Sequence, residues 1–439
     1  MGWGYAKIVV FMSEMRKSIR DLRLQSYIKL SLLFIATSCR QIDLIICQEN
    51  STNYNMASTE GSGPQVSAST PAAKSPSAKS SSPPAAASSP AGNANGTEAG
   101  PIVVDPAFEH DDLTEAETES IHTSSTASLT ESITEYRRIL GRTYTQKVDY
   151  WGPNDEKQNE GLDLAHYWEC VFFDDKLFLA PIGDSPHKVL DIGTGTGIWA
   201  IDFADEFPSA EVIGVDISPI QPSWVPPNCK FQIDDIEADW TWPTEFFDYV
   251  HIRHLEGCVS DWPKLYSQAF EHLVPGGYVE VNELDLEDYS QALGDNLPQD
   301  HVYRRWAKIM FESMDRLGKT GKQTRDHGVA NGMRDAGFVD IVEKSWPIPI
   351  GGWASDPKLK EVGAVNLQYI DQSLEGFGTF LLRQMMGWED VEILVFMSEM
   401  RKALRDLKLQ TYFTLHVVYG RKPEESDEQT SAAPAAAVA

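Results

Sequence analysis

Three things are scarce in this chain of 439 residues, and each shortage closes off a class of function. The first is a long apolar run. None reaches the ~18–20 residues that a bilayer-spanning helix requires. The nearest, Ile28–Ser38 (IKLSLLFIATS), follows Arg16, Lys17 and Arg23 as a signal anchor would, but Arg40 cuts it short. No membrane partner is expected. The second is cysteine. Cys39, Cys47, Cys170, Cys229 and Cys258 lie far apart, with no CxxC and no even framework. That pattern fits reduced thiols in a cytoplasmic or nuclear protein and offers neither a disulfide scaffold nor a metal site. The third is positive charge: 37 Lys and Arg stand against 65 Asp and Glu, a net charge of −28. Such a surface repels phosphate backbones, so direct nucleic-acid binding is not expected, whereas small molecules and basic partners remain open.

Apolar residues are also missing from two stretches. From about Ser51 to Gly100 the composition collapses into Ser, Ala, Pro, Gly and Thr, and the tail after Glu424 (ESDEQTSAAPAAAVA) reads the same way. Neither has enough to bury to offset its ordering entropy, so both are predicted to be disordered. Nearly all the Trp, Phe and Tyr fall between Pro106 and Pro423, ample for one large core.

The ends of the chain repeat each other. VFMSEMRK occupies both 10–17 and 395–402, and Met1–Tyr27 aligns with Met386–Tyr412 without a gap, 18 of 27 positions being identical. The second copy lies on a predicted helix, Glu389–Leu409, whose Ile393, Phe396, Met400, Leu404 and Leu407 fall at helical spacing. The first copy stops at Leu30, before any equivalent of the strand that follows the original, and a lone helix cannot bury its apolar face. Two readings stay open. Residues 1–55 derive from the end of a related neighbouring gene, with Met56 as the natural start, or the copy is a mimic that competes for the original's groove.

The chemistry begins at KVLDIGTGTGIWAIDFADEF (188–207), an apolar strand, a glycine-rich turn and a helix with apolar residues at helical spacing. Gly193, Gly195 and Gly197 allow close backbone approach, and the following helix offers free N–H groups to an anion. The spacing is not G-x-G-x-x-G, and alone it is weak. Its company is stronger. Asp191 precedes the turn, and a second strand, EVIGVDIS (211–218), ends in Asp216, placed either to cap a helix or to accept hydrogen bonds from both hydroxyls of a ribose. A third strand, KFQIDDIE (230–237), ends in Asp234 and Asp235. In an open parallel sheet these carboxyl ends face one crevice.

VLDIGTGTG, GVDIS, IDDIE, FDYVHIRHL and HLVPGGYVEVNEL together resemble the successive motifs of class I S-adenosylmethionine-dependent methyltransferases. More narrowly, 136–423 resembles the fungal LaeA-like methyltransferases of secondary metabolism, including the upstream stretch YWGPNDEKQNEGLDLAHYWE. An arginine commonly stands in that family where this chain has Gly161, which puts the packing of the pre-core helix in question. The resemblance implies an α/β, Rossmann-like sheet of seven strands, mostly parallel with an antiparallel last strand and helices on both faces. It implies that Gly193, Gly195 and Gly197 cradle the methionine part of S-adenosyl-L-methionine, with Asp191 holding that loop or the amino group. Asp216 would take the ribose hydroxyls, and Asp235 the adenine amino group, with Ile236 against the ring. The domains expected are a duplicated fragment (1–55), a disordered leader (56–105), a helical extension (106–187), the methyltransferase domain (188–423) and a disordered tail (424–439).

Methyl transfer from a sulfonium needs alignment more than covalent help. A hydroxyl or carboxylic acid acceptor also gains from a general base. HIRHLEG (251–257) ends the fourth core strand, beside where the methyl group should sit. His254 is the base candidate. Strand alternation points His251 and Arg253 to one face and His254 to the other. Arg253 either grips an acidic substrate group or ties the loop, and Glu283 and Asp285 follow the fifth strand. The acceptor is expected to be a small molecule, as for tailoring enzymes. The alternatives are a nuclear regulator of secondary-metabolite genes working in a protein complex, and a cofactor-binding pseudo-enzyme.

Overall fold

In the computed structural model, which describes residues 100–105, 136–146 and 150–424, the apolar runs between the glycine-rich turns become strands of one sheet. A short hairpin, β1 (Arg137–Ile139) and β2 (Arg142–Tyr144), stands apart from it. The sheet comprises β3 (Lys188–Ile192), β4 (Glu211–Asp216), β5 (Cys229–Ile233), β6 (Phe247–Arg253), β7 (Leu273–Leu284), β8 (Tyr289–Ser290), β9 (Val339–Pro349) and β10 (Thr411–Arg421). Strands β5, β4, β3, β6 and β7 run parallel in that order, and β10 inserts antiparallel between β7 and β9.

Eight strands thus stand where seven were expected, for a simple reason. Tyr412 of β10 pairs with Pro349 of β9 on one side and Tyr289 of β8 on the other, so β8 lies in the lane of β7. The lanes number seven, and β7 is interrupted between Leu284 and Tyr289. Such breaks re-aim side chains beside functional clefts.

Both faces of β3, β4 and β6 are covered, which explains why their sequences are mostly apolar. Val189, Val212 and Tyr249 meet α2 (Ile198–Glu206) through Trp199 and Phe203. Their neighbours Leu190, Ile213 and Val250 face α3 (Trp262–His272) and α5 (Gly328–Asp335) through Trp262, Leu265 and Met333. A third cluster joins α1 (Glu156–Phe172), α4 (Val302–Leu317), α6 (Pro357–Phe380) and α7 (Asp390–Arg405). This group sits beside β9 and β10, with Ile348, Phe413 and Leu415 among its members.

Helix α7 is the original of the repeated segment. A capping box between Glu389 and Glu392 starts it, and it buries Ile393, Phe396, Met397, Met400 and Leu404. Burial on this scale contributes roughly 1.5–3 kcal/mol per side chain. The first copy, together with the rest of 1–55 and the tail from 425, lies outside the described residues. Residues 100–105 pair with the segment before α6: Asp105 N–H donates to the Trp353 carbonyl (3.0 Å), Ser355 N–H to the Val103 carbonyl (2.7 Å), and Ile102 is buried. Alternating apolar residues at 102 and 104 give this stretch a face to bury, which the Ser/Pro/Ala run before it lacks.

Gly161 also has a local explanation. It lies where α1 packs on α6, and a Cβ there would sit 2.4 Å from Ser373 Oγ. A side chain there would require Ser373 Oγ to move, and glycine lets the two helices meet backbone-close.

Candidate functional site

The carboxyl ends of β3 to β6 open on one side of the sheet, as parallel strands with crossover connections require. Gly193, Gly195 and Gly197, between β3 and α2, all have positive φ (68°, 57° and 79°). A Cβ at Gly193 would lie 2.6 Å from Leu255 Cδ2, and one at Gly197 2.2 Å from the Phe231 ring. At Gly195 the nearest side-chain atom would be Leu162 Cδ1, at 3.3 Å. Only glycine makes this turn, and it leaves bare backbone at the rim of the crevice.

Asp216 closes β4 and braces the turn. Its Oδ2 accepts the Gly195 N–H (2.8 Å) and its Oδ1 the Ser218 N–H (2.9 Å). A carboxylate offers about four lone-pair sites, so acceptor capacity remains for hydroxyls in the crevice. Burial, with repulsion from Asp191 added, pushes its carboxyl up to about 6 against the pull of those amides. Asp191 is used differently. Its Oδ2 takes the Thr194 hydroxyl (2.5 Å) and its Oδ1 meets His251 Nδ1 (2.8 Å), while the His251 ring stacks on Trp199 with centroids 3.7 Å apart. Of the two roles left open for Asp191, the geometry is that of a loop brace. Burial pulls His251 below the usual histidine range, so it donates Nδ1–H as a neutral ring.

After β5, Asp235 is half-buried and accepts the Glu237 N–H (3.0 Å), whereas Asp234 is exposed and accepts the Asp235 N–H (2.9 Å). Ile236 packs against the α3 side of the core. The residues named from sequence for the cofactor therefore follow one another at the carboxyl ends of β3, β4 and β5.

Beyond β6 the alternation rule fails. His254 has φ +56°, a left-handed conformation, and its N–H donates to the Asn282 carbonyl (3.0 Å). Instead of pointing to opposite faces, Arg253 and His254 meet on one carboxylate, Glu169 of α1. His254 Nε2 lies 2.7 Å from Glu169 Oε1, and Arg253 Nη1 lies 3.1 Å from Oε2. Asn282 Nδ2 donates to the same Oε2 at 3.1 Å, and Arg253 Nη1 also lies 3.1 Å from His166 Nδ1. Of its two open roles, Arg253 has the geometry of a tie. Glu169 was not singled out from sequence. The only signal was its place in the family-like stretch ending HYWE.

His254 and Leu162 border a cavity of about 140 Å³, enclosed largely by Tyr150, Trp306, Met310, Tyr369, Phe377 and Met400. Leu162 also flanks Gly195, so the cavity abuts the glycine turn. Its acids are Glu256, Glu283, Asp285 and Asp288, and among the described residues no lysine or arginine lines it. Glu283 is fully buried and accepts the Leu255 (2.7 Å) and Glu256 (2.9 Å) N–H groups. Glu256 in turn accepts the N–H groups of Gln323 (2.6 Å) and Thr324 (3.2 Å). Burial pushes Glu256 up to about 8 and Glu283 well above the carboxylate range. Both clamp the loop after β6. Asp285 is paired with Arg325 (3.5 Å) and accepts the Tyr289 hydroxyl (2.8 Å).

Among the described residues no cluster of His, Cys, Asp and Glu is arranged to hold a metal ion, and no helix is long and apolar enough to cross a membrane. The family described as a methyltransferase domain matches residues 164–338. The chain is 34% identical to Methyltransferase pytC of Aspergillus terreus over 303 residues, 68% of this chain and 92% of that one. It is 32% identical to Secondary metabolism regulator LAE1 of Cochliobolus heterostrophus, over 63% of this chain and 91% of that one. With Secondary metabolism regulator laeA of Aspergillus fumisynnematus the figures are 30%, 64% and 76%.

Proposed function

Because the chain belongs to the fungal LaeA-like family of S-adenosylmethionine-dependent methyltransferases, we propose that it methylates a small, largely apolar molecule held in the cavity beside the glycine turn. The observation that carries this is the cavity itself. Its volume of about 140 Å³ is close to that of a cavity able to take one aromatic ring, on the order of 150 Å³. Its walls are aromatic and methionine side chains, and its charged lining is acidic. That lining disfavours acceptors bearing carboxylate or phosphate groups.

The residues present fit the cofactor: the glycine turn, with positive φ at Gly193, Gly195 and Gly197, presents bare backbone at the crevice, and Asp216 stands beside it with acceptor capacity to spare. S-adenosyl-L-methionine, when bound, supplies an electrophilic methyl group on a sulfonium. Gly193, Gly195 and Gly197 would hold its methionine part, with Asp191 keeping the turn in shape. Asp216 would hold the ribose, and Asp235 and Ile236 the adenine. The cavity walls orient the acceptor and exclude water, which is most of what an in-line displacement needs. His254, at the border of cavity and crevice, receives the acceptor's proton.

A second reading, a methyltransferase that regulates secondary-metabolite genes within a nuclear protein complex, is favoured by the names of the LAE1 and laeA relatives. Untargeted metabolomics of a deletion strain separates the two. Loss of one methylated compound supports the tailoring reading, and many compounds changing together would overturn it in favour of regulation.

A further inference from the structure

We propose that Glu169 is a positioning residue that fixes the tautomer of His254, so that Nδ1 is the nitrogen that receives the acceptor's proton. The inference rests on the reading that His254 faces a bound acceptor. Glu169 lies in α1, outside the sheet, and is 3% exposed. An acid is kept at such a depth only when it is paired. Its partners come from three places: Arg253 at the end of β6, His254 just beyond it, and Asn282 on β7. Burial opposes its ionisation, but the Arg253 guanidinium, first of the groups that lower it, holds the carboxyl below the usual range.

An ionised carboxylate only accepts, so the imidazole nitrogen facing it must carry the hydrogen. That nitrogen is Nε2, 2.7 Å from Glu169 Oε1 in an ion-pair contact that is not aligned as a hydrogen bond, and neither buried atom has a hydrogen-bond partner elsewhere among the described residues. In the neutral ring the lone pair then resides on Nδ1, which is the logic by which a carboxylate partner sets a histidine's tautomer elsewhere. The backbone is held by the same neighbours. A left-handed φ is unfavourable for a non-glycine residue, whose Cβ crowds the carbonyl oxygen that follows. At His254 this conformation is pinned by the N–H bond to the Asn282 carbonyl, and the Asn282 side chain ends on Glu169. The other charged groups nearby are Arg253, on the same carboxylate, and the acids of the cavity that His254 borders, Glu256, Glu283, Asp285 and Asp288.

The proton balance is simple. A proton leaving the acceptor's O–H or N–H lands on Nδ1, and the imidazolium keeps Nε2–H on Glu169. Loss of the Nδ1 proton to water restores the starting tautomer.

The tautomer is directly observable by long-range ¹⁵N–¹H correlation on histidine-labelled full-length protein bound to S-adenosylhomocysteine, with no acceptor present. His254 is expected as a single neutral species protonated at Nε2. Glu169→Gln should convert that single species to a mixture of comparable populations, and Glu169→Asp should restore most of it, which a role in packing alone would not do. A wild-type His254 protonated at Nδ1, or at both nitrogens at pH 8, overturns the proposal even if neither variant folds. So does an unchanged tautomer in Glu169→Gln. A wrong tautomer alongside loss of one methylated compound in the deletion strain removes the Glu169 role and leaves the small-molecule reading. The reverse combination removes that reading and leaves Glu169's hold on His254.

Discussion

Replacing Asp216 with asparagine tests the cofactor edge of the site at one atom pair. The side chain keeps its shape and loses its charge. In the wild type both carboxylate oxygens accept backbone N–H groups, from Gly195 at 2.8 Å and Ser218 at 2.9 Å. Asparagine can satisfy only one, so folding stability should fall by about 1–3 kcal/mol, the cost of an unpaired buried donor. Binding suffers separately. Hydrogen bonds from two hydroxyls to a charged acceptor are worth about 1.5–3 kcal/mol, so S-adenosylhomocysteine should bind about ten- to 150-fold more weakly by calorimetry. The pH dependence supplies a second arm. Because the Asp216 carboxyl is raised to about 6 in the free protein, hydroxyl donors that prefer the ionised form should bind more tightly as pH rises from 5 to 7. In Asp216→Asn that gain should vanish. Equal affinity at pH 7.5 with an unchanged pH slope would remove Asp216 from the site.

Other expectations follow from the same structure. His254→Asn should lower turnover by ~10²-fold while leaving S-adenosylhomocysteine affinity intact, read by single-turnover assay once an acceptor is in hand. Glu256 at about 8, Glu280 of β7 (buried, accepting the Leu179 and Ala180 N–H groups) at about 7 and Asp216 at about 6 all titrate above their ordinary values. A raised carboxyl favours the folded state fully only below its unfolded value, so the Tm should fall as pH rises from 5 to 8. Glu256→Gln should flatten that slope, as thermal melts at several pH values would show. A chain starting at Met56 should melt within about two degrees of the full chain, since α7 already fills the place its copy resembles and is tied directly to β10. A drop of several degrees, or a several-fold change in activity, would instead make residues 1–55 a working element.

What was legible in the sequence was what neighbouring residues decide. The glycine turn, Asp216 and Asp235 sit at strand ends, and apolar run plus glycine plus acid is a pattern of adjacent positions. The antiparallel last strand was expected only through the family resemblance. The break in β7 was not, because nothing in LDLEDYS marks where pairing stops. His254 shows the limit most clearly. Alternation assigned it the face opposite Arg253, and a left-handed φ, held by Asn282 and Glu169 from distant segments, overrode that local rule. The cavity was also out of reach, since its walls come from α1, α4, α6 and α7, brought together only by packing. Met400 illustrates this: it was readable as part of a helix's apolar stripe, but not as a wall beside an acceptor.

The central claim is that this chain moves a methyl group onto a small apolar molecule. Its most direct test incubates the purified full-length protein with methyl-labelled S-adenosylmethionine and a small-molecule extract of the deletion strain, followed by mass spectrometry. Label should enter a single low-mass compound without carboxylate or phosphate groups, and a variant that fills the cavity, Met310→Trp, should abolish the transfer. Label found only in protein, or undiminished transfer in Met310→Trp, would contradict the assignment of acceptor and cavity together.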